Sequence, residues 1–142
     1  MRIVDVLNAK GGDVVTISPA HTVLGAMKIL VEHNIGAVVV EDDDRVCGML
    51  SEHDILRVAT RDPSGFADTK VDDVMTTDLV VGVENDKLDY VMDVMTRNRV
   101  RHLPIMRAEA LVGIISIGDV VNAMRRDTES ENRYLRDYIA GA

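Results

Sequence analysis

The chain of 142 residues has no tryptophan, one phenylalanine and three tyrosines, so aromatic side chains make up only 3% of it. That leaves little material for a base-stacking platform, and valine, isoleucine, leucine, methionine and alanine must supply the core. A single cysteine, Cys47, excludes an internal disulfide and fits a reducing compartment; it stands in an apolar run, where packing is its expected role. No apolar run reaches the roughly 20 residues that span a bilayer, and the opening MRIVDVLNAKGG lacks the long apolar stretch of a secretory signal. A cytoplasmic location without a membrane partner is therefore expected. The net charge of −8, with no basic face over the whole chain, argues against nucleic acid as a partner. Also missing are a nucleophile-base pair, a glycine-rich phosphate loop, a dinucleotide-binding fingerprint and any His or Cys pairing at zinc spacing. His21, His33 and His53 are scattered over helix ends and turns. Neither catalysis nor a metal site is expected.

What is present is repetition. With 46% hydrophobic residues the chain can bury one core, or two small halves that share one. The stretch GMLSEHDIL at 48–56 has the same shape as GIISIGDVV at 113–121: glycine, two apolar residues, serine, two residues and aspartate, 65 residues apart. That offset aligns residues 13–56 with 78–121 without a gap, and half of the six identities, namely Gly48/Gly113, Ser51/Ser116 and Asp54/Asp119, fall in the motif.

Each copy carries the same series of elements. An extended piece (VVTIS; LVVGV) is followed by a run with helical apolar spacing, Val23, Ala26, Met27 and Leu30, or Leu88, Val91, Met92 and Met95. Pro19 and Thr22 suit the entry to the first helix, and Asp86 is the expected cap of the second. Two apolar runs joined by a polar turn then read as a strand hairpin, GAVVV-EDDDR-VCGML and LPIM-RAEA-LVGII. Their continuous apolarity predicts strands covered on both faces. EDDDR is expected to be a solvated turn. The motif starts a second helix in each copy, TRDPSGFADTK at 60–70 has linker composition, and the charged tail has Tyr134, Leu135, Tyr138 and Ile139 at helical spacing, expected to pack on the body or on another subunit.

Duplicated β-α-β-β-α units that end in this motif resemble the tandem CBS domain, or Bateman module, named after cystathionine β-synthase. The resemblance runs from VDVL at 4–7, and its counterpart DDVM at 72–75, to Met124. It implies an α+β fold with a first repeat at 1–62, a linker at 63–70, a second repeat at 71–126 and a helical tail at 127–142. The repeats would form a pseudo-twofold pair with clefts between them, dimerising into a disc. The implied function is regulatory: binding an adenosine ligand such as AMP, NAD(H), ATP or S-adenosylmethionine and signalling by conformational or assembly change. The alternative is a ligand-independent scaffold docking onto a separate enzyme or transporter.

The candidate residues admit a plain structural reading beside the functional one. Ser51 and Asp54, like Ser116 and Asp119, stand at N-cap and N3 of a helix and could form a capping box. The shorter Asp is expected to reach back less comfortably than Glu, and the family uses this aspartate for ribose, with the serine and helix-end amides suited to phosphate. In TRNRVRHLPIM, Arg97 and Arg99 complement the negative end of the preceding helix. Arg101 and His102 lie where family members that bind phosphorylated nucleotides carry phosphate ligands. Their first-copy counterparts are Gly36 and Ala37, so two unequal sites are expected, Asp54 with Arg101 and His102 forming the stronger. Adenine would be held at Thr16, Ile17, Ala37 and Val38, and at Val81, Leu103 and Pro104.

Overall fold

The computed structural model describes residues 1–141. In chain order it contains α1 (Ile3–Lys10), β1 (Thr16–Ile17), α2 (Val23–His33), β2 (Ala37–Asp42), β3 (Arg45–Ser51), α3 (Glu52–Arg61), a 3-10 turn (Phe66–Asp68), α4 (Val71–Val74), α5 (Leu88–Asn98), β4 (His102–Arg107), β5 (Ala110–Ser116) and α6 (Ile117–Gly141). The α+β class and both β-α-β-β-α repeats are as expected.

Two compact units divide these elements otherwise than by chain order. The Asp54 unit holds Asp13–Val80 with Ala108–Val112, and the Asp119 unit holds Met1–Gly12, Val81–Arg107 and the described residues from Gly113 on. Helix α1 thus belongs with the second repeat, and α4 with the first.

In the Asp54 unit β1 runs parallel to β2, Thr16 opposite Val39 and Ile17 opposite Val40, and β2 pairs antiparallel with β3. Residues 37 to 40 are all buried, as their unbroken apolarity predicted. Asp43 and Asp44 close the hairpin with φ of 50° and 61°, a conformation that aspartate tolerates because its short side chain can bond locally. They are exposed, so EDDDR is the solvated turn expected. The remaining edge of β3 is taken by Thr76, whose amide donates to Met49 O and whose carbonyl accepts from Met49 N, both at 2.9 Å. Ile17, Val23, Ala26, Leu30, Val38, Val40, Leu50, Ile55 and Val71 form the core, against which the half-buried Cys47 packs. Thr22 caps α2 by accepting from Gly25 N at 3.1 Å. The expected linker is folded: Asp62 accepts from Gly65 N at 3.1 Å, and Phe66 packs against the core.

The Asp119 unit repeats this plan with less strand. Its opening strand shrinks to one parallel bridge, Gly82 to Ile105, in the register of Ile17 to Val40. A Cβ on Gly82 would lie 2.8 Å from Leu103 Cδ2 and 3.1 Å from both Ile105 Cδ1 and Ile3 Cδ1, so glycine leaves room for three converging apolar side chains. The cap expected of Asp86 is not formed. Lys87 is the N-cap of α5, Asp86 instead accepts from Val83 N at 3.0 Å, and Leu88 N donates to Met1 O at 3.2 Å. The N-terminal segment supplies the oxygen that the cap would have offered. Arg97 pairs with Asp93 one turn earlier, and Arg99 is the C-cap in left-handed conformation, φ 54°, matching Asn34 at φ 52° behind α2. Helix α6 runs through the boundary expected near residue 126 without a break, leaving Tyr134, Leu135, Tyr138 and Ile139 exposed. No helix among the described residues is long and apolar enough to cross a membrane.

Candidate functional site

The duplicated motif begins with a glycine for a steric reason. A Cβ on Gly48 would come 2.6 Å from Met75 Sδ and 3.0 Å from Thr76 O; one on Gly113 would come 2.5 Å from Leu7 Cδ2. In each unit a segment from outside the repeat, Met75 and Thr76 just beyond α4 or Leu7 of α1, lies directly over the strand that leads to Ser and Asp. The glycine is the gap that permits this approach.

Serine and aspartate then cap the following helix. Ser51 Oγ accepts from Asp54 N at 3.3 Å while Asp54 Oδ2 accepts from Ser51 N at 2.9 Å. Ser116 Oγ accepts from Asp119 N at 3.1 Å, and Asp119 Oδ2 from Ser116 N at 2.9 Å. Aspartate therefore does reach back across the box, although it is shorter than the glutamate usual at that position. The next amide is satisfied as well: Glu52 N donates to Gly36 O at 3.0 Å, and Ile117 N to Arg101 O at 2.8 Å. Three amides around each helix start are thus bonded within the protein, which corrects the expectation that they stand open for phosphate.

The two carboxylates differ in what else they hold. Asp54 is buried, its side chain 8% exposed. Its Oδ2 also accepts from Ser51 Oγ at 3.1 Å, its Oδ1 accepts from Thr76 Oγ1 at 3.2 Å, and Arg57 lies 3.7 Å from Oδ1. Both oxygens are occupied. The Asp119 side chain is 25% exposed, and its Oδ2 takes a second, charged donor, Lys10 Nζ at 2.6 Å. The same ammonium donates to Ile114 O at 2.9 Å. Oδ1 of Asp119 has no hydrogen-bond partner among the described residues. Burial alone would raise the Asp119 pKa, but the hydrogen bond and charge of Lys10, with the Ser116 amide and hydroxyl, hold its carboxyl below the ordinary range. Because the folded value is depressed, the resulting stabilisation is full above the unfolded carboxylate value and is lost as pH falls through the folded one.

The remaining candidates divide between the units. Thr16, Ile17, Ala37, Val38, Ser51 and Asp54 lie in one, and Val81, Arg101, His102, Leu103, Pro104, Ser116 and Asp119 in the other. Thr16 and Val81, at matching positions, are exposed; Ile17, Ala37, Val38, Leu103 and Pro104 are buried. Arg101 is exposed at the foot of β4, and His102, the first residue of that strand, is half-buried. Sequence reasoning missed Lys10 and Thr76, which reach their aspartates across 109 and 22 residues. Burial raises the Cys47 thiol pKa first, with Asp42 and Asp72 adding to it, so this thiol is not activated.

The family profile described as CBS domain matches residues 5–61 and 71–126. A mitochondrial CBS domain-containing protein of Arabidopsis thaliana is 34% identical over 148 aligned positions, covering 98% of this chain and 72% of the relative. A CBS-domain containing protein from Agrobacterium tumefaciens has a crystal structure that superposes with a TM-score of 0.85 at 39% identity, covering 87% of this chain and 92% of that one. A CBS domain pair crystallised with 5′-methylthioadenosine and S-adenosyl-L-methionine shares the fold, with a TM-score of 0.79 at 20% identity, 89% of this chain and 98% of the other being covered.

Proposed function

Since the chain belongs to the CBS domain family, with two such domains along its 142 residues, we propose that it is a regulatory module that binds an adenosine-containing ligand. The observation that carries this reading is the Asp119 carboxylate, which is bonded at a helix start, ionised, partly exposed, and left with one oxygen unbonded among the described residues. A ribose hydroxyl donates to such an oxygen at little cost in reorganisation. The ligands found with the related domain pair, 5′-methylthioadenosine and S-adenosyl-L-methionine, carry the same ribose.

Ser116 and Asp119, with Arg101 and His102 in the same unit, form the set proposed to hold ribose and phosphate, so AMP, ATP and NAD(H) are the ligands to try first. Adenine would rest on backbone near Val81, Leu103 and Pro104, and near Thr16, Ile17, Ala37 and Val38 at a second site with Ser51 and Asp54. The competing arrangement gives Arg101 and His102 to a ligand on Asp54. Signalling would follow from differential affinity for two conformations or assemblies of the protein, a homodimer among them. The proposal includes no catalytic step.

Thermal melting against AMP, ADP, ATP, NAD, NADH and S-adenosylmethionine tests this reading. A ligand at 100 times its dissociation constant should stabilise the fold by about 2.7 kcal/mol. No shift with any member of the panel rejects it. A scaffold that docks on another protein without ligand is the second reading, favoured by exposed Tyr134, Leu135, Tyr138 and Ile139 on α6. Partner capture that is indifferent to nucleotide would favour it.

A further inference from the structure

Lys10 lies outside the duplicated motif, yet its ammonium is the shortest contact that either motif carboxylate makes. An ammonium has three N–H donors. Two of them are committed, to Asp119 Oδ2 at 2.6 Å and to Ile114 O at 2.9 Å, and the side chain is 34% exposed, so the third is available. Beside it stands Asp119 Oδ1, an acceptor without a hydrogen-bond partner among the described residues. The ion pair therefore presents one vacant donor next to one vacant acceptor.

A vicinal diol is complementary to that pair, because each hydroxyl can either donate or accept. If both hydroxyls were to donate to the carboxylate, they would have to share Oδ1 or crowd onto Oδ2, which already accepts from Ser116 N and Lys10. We propose that Lys10 is a ligand-contacting residue: one hydroxyl of a vicinal diol donates to Asp119 Oδ1 and its neighbour accepts from Lys10 Nζ. The Asp54 unit lacks this arrangement, since the Thr76 hydroxyl occupies Asp54 Oδ1 and the carboxylate is buried. Recognition of an intact diol is then a property of the Asp119 motif. This rests on the adenosine-ligand reading and adds to it the means by which ribose is told from deoxyribose.

The test is calorimetric titration of the full chain with AMP, 2′-deoxy-AMP and 3′-deoxy-AMP, in the wild type and in Lys10→Met, which keeps the aliphatic stem. The wild type should bind each deoxy analogue about tenfold more weakly than AMP, the loss of one hydrogen bond to a charged group. In Lys10→Met one of the two penalties should disappear while the other persists. Both penalties intact in Lys10→Met, or equal weakening of all three ligands with a lowered melting temperature, overturns the assignment and leaves Lys10 a structural ion pair. Lys10→Gln serves if the methionine variant does not fold, and a wild type that binds AMP without any diol preference overturns the proposal with no variant needed. That last result spares the adenosine reading, whereas a wild type that binds none of the three removes both.

Discussion

The Asp54 and Asp119 motifs share their glycine, serine and aspartate and the same capping box, yet one carboxylate is closed and the other open. The difference comes from the segment that packs over each. In the Asp54 unit, residues 75 and 76 cover the strand: Thr76 exchanges backbone bonds with Met49 and puts its hydroxyl on Asp54. In the Asp119 unit α1 ends at Lys10, and the carbonyl of Ile114, which matches Met49, is satisfied by an ammonium instead of an amide. A backbone partner together with a hydroxyl seals its motif. A single long cationic side chain bonds the motif and leaves part of it exposed. Repetition of a motif thus copies its local bonds and not its accessibility.

Three substitution pairs would break or sharpen that comparison, each read by urea unfolding. Gly48→Ala should cost about 3 kcal/mol and Gly113→Ala about half of that. The added methyl meets backbone, Thr76 O, in the first case, but only the movable end of Leu7 in the second. Equal costs would mean that the covering segments are equally free to shift. Asp54→Ala should cost about 2 kcal/mol, since it removes a cap together with the Ser51 and Thr76 hydroxyl bonds of a buried carboxylate, whereas Asp119→Ala should cost about 1 kcal/mol. Ligand affinity should fall in the opposite order, with Asp119→Ala the more damaging; the reverse order would return the stronger site to Asp54. The smallest effect is expected at the helix ends. Arg99→Gly should stabilise by about 1 kcal/mol by relieving a left-handed arginine, and Asn34→Gly by less, because asparagine tolerates that conformation. A loss of stability on Arg99→Gly would mean that the arginine side chain makes up for its backbone.

Much of this architecture was legible in the chain before any coordinates. The strands at 37–40 were readable because burial on both faces demands unbroken apolarity, and the α2 entry because a threonine cap acts within three residues. The cap proposed for Asp86 failed for the opposite reason. Met1 O, from the far end of the chain, satisfies the first amide of α5, and the aspartate is left to close its own turn. Helix α6 continues from the second repeat into the tail expected at 127–142, since no glycine or proline breaks it between Asp119 and Ile139.

The candidate site divides along the same line. Sequence by itself determined the repeat, its offset of 65 residues and the two capping boxes, because a serine and an aspartate three apart at a helix start can find each other through local geometry alone. Only the tertiary structure decided which carboxylate is buried, which pairs with a lysine, and which keeps an oxygen unbonded among the described residues. Those outcomes depend on apolar contacts, Leu7 over Gly113 and Met75 over Gly48, that bring Lys10 and Thr76 to aspartates 109 and 22 residues away. Packing over such separations is selected by the shape of the whole unit, and no local pattern of residues encodes it.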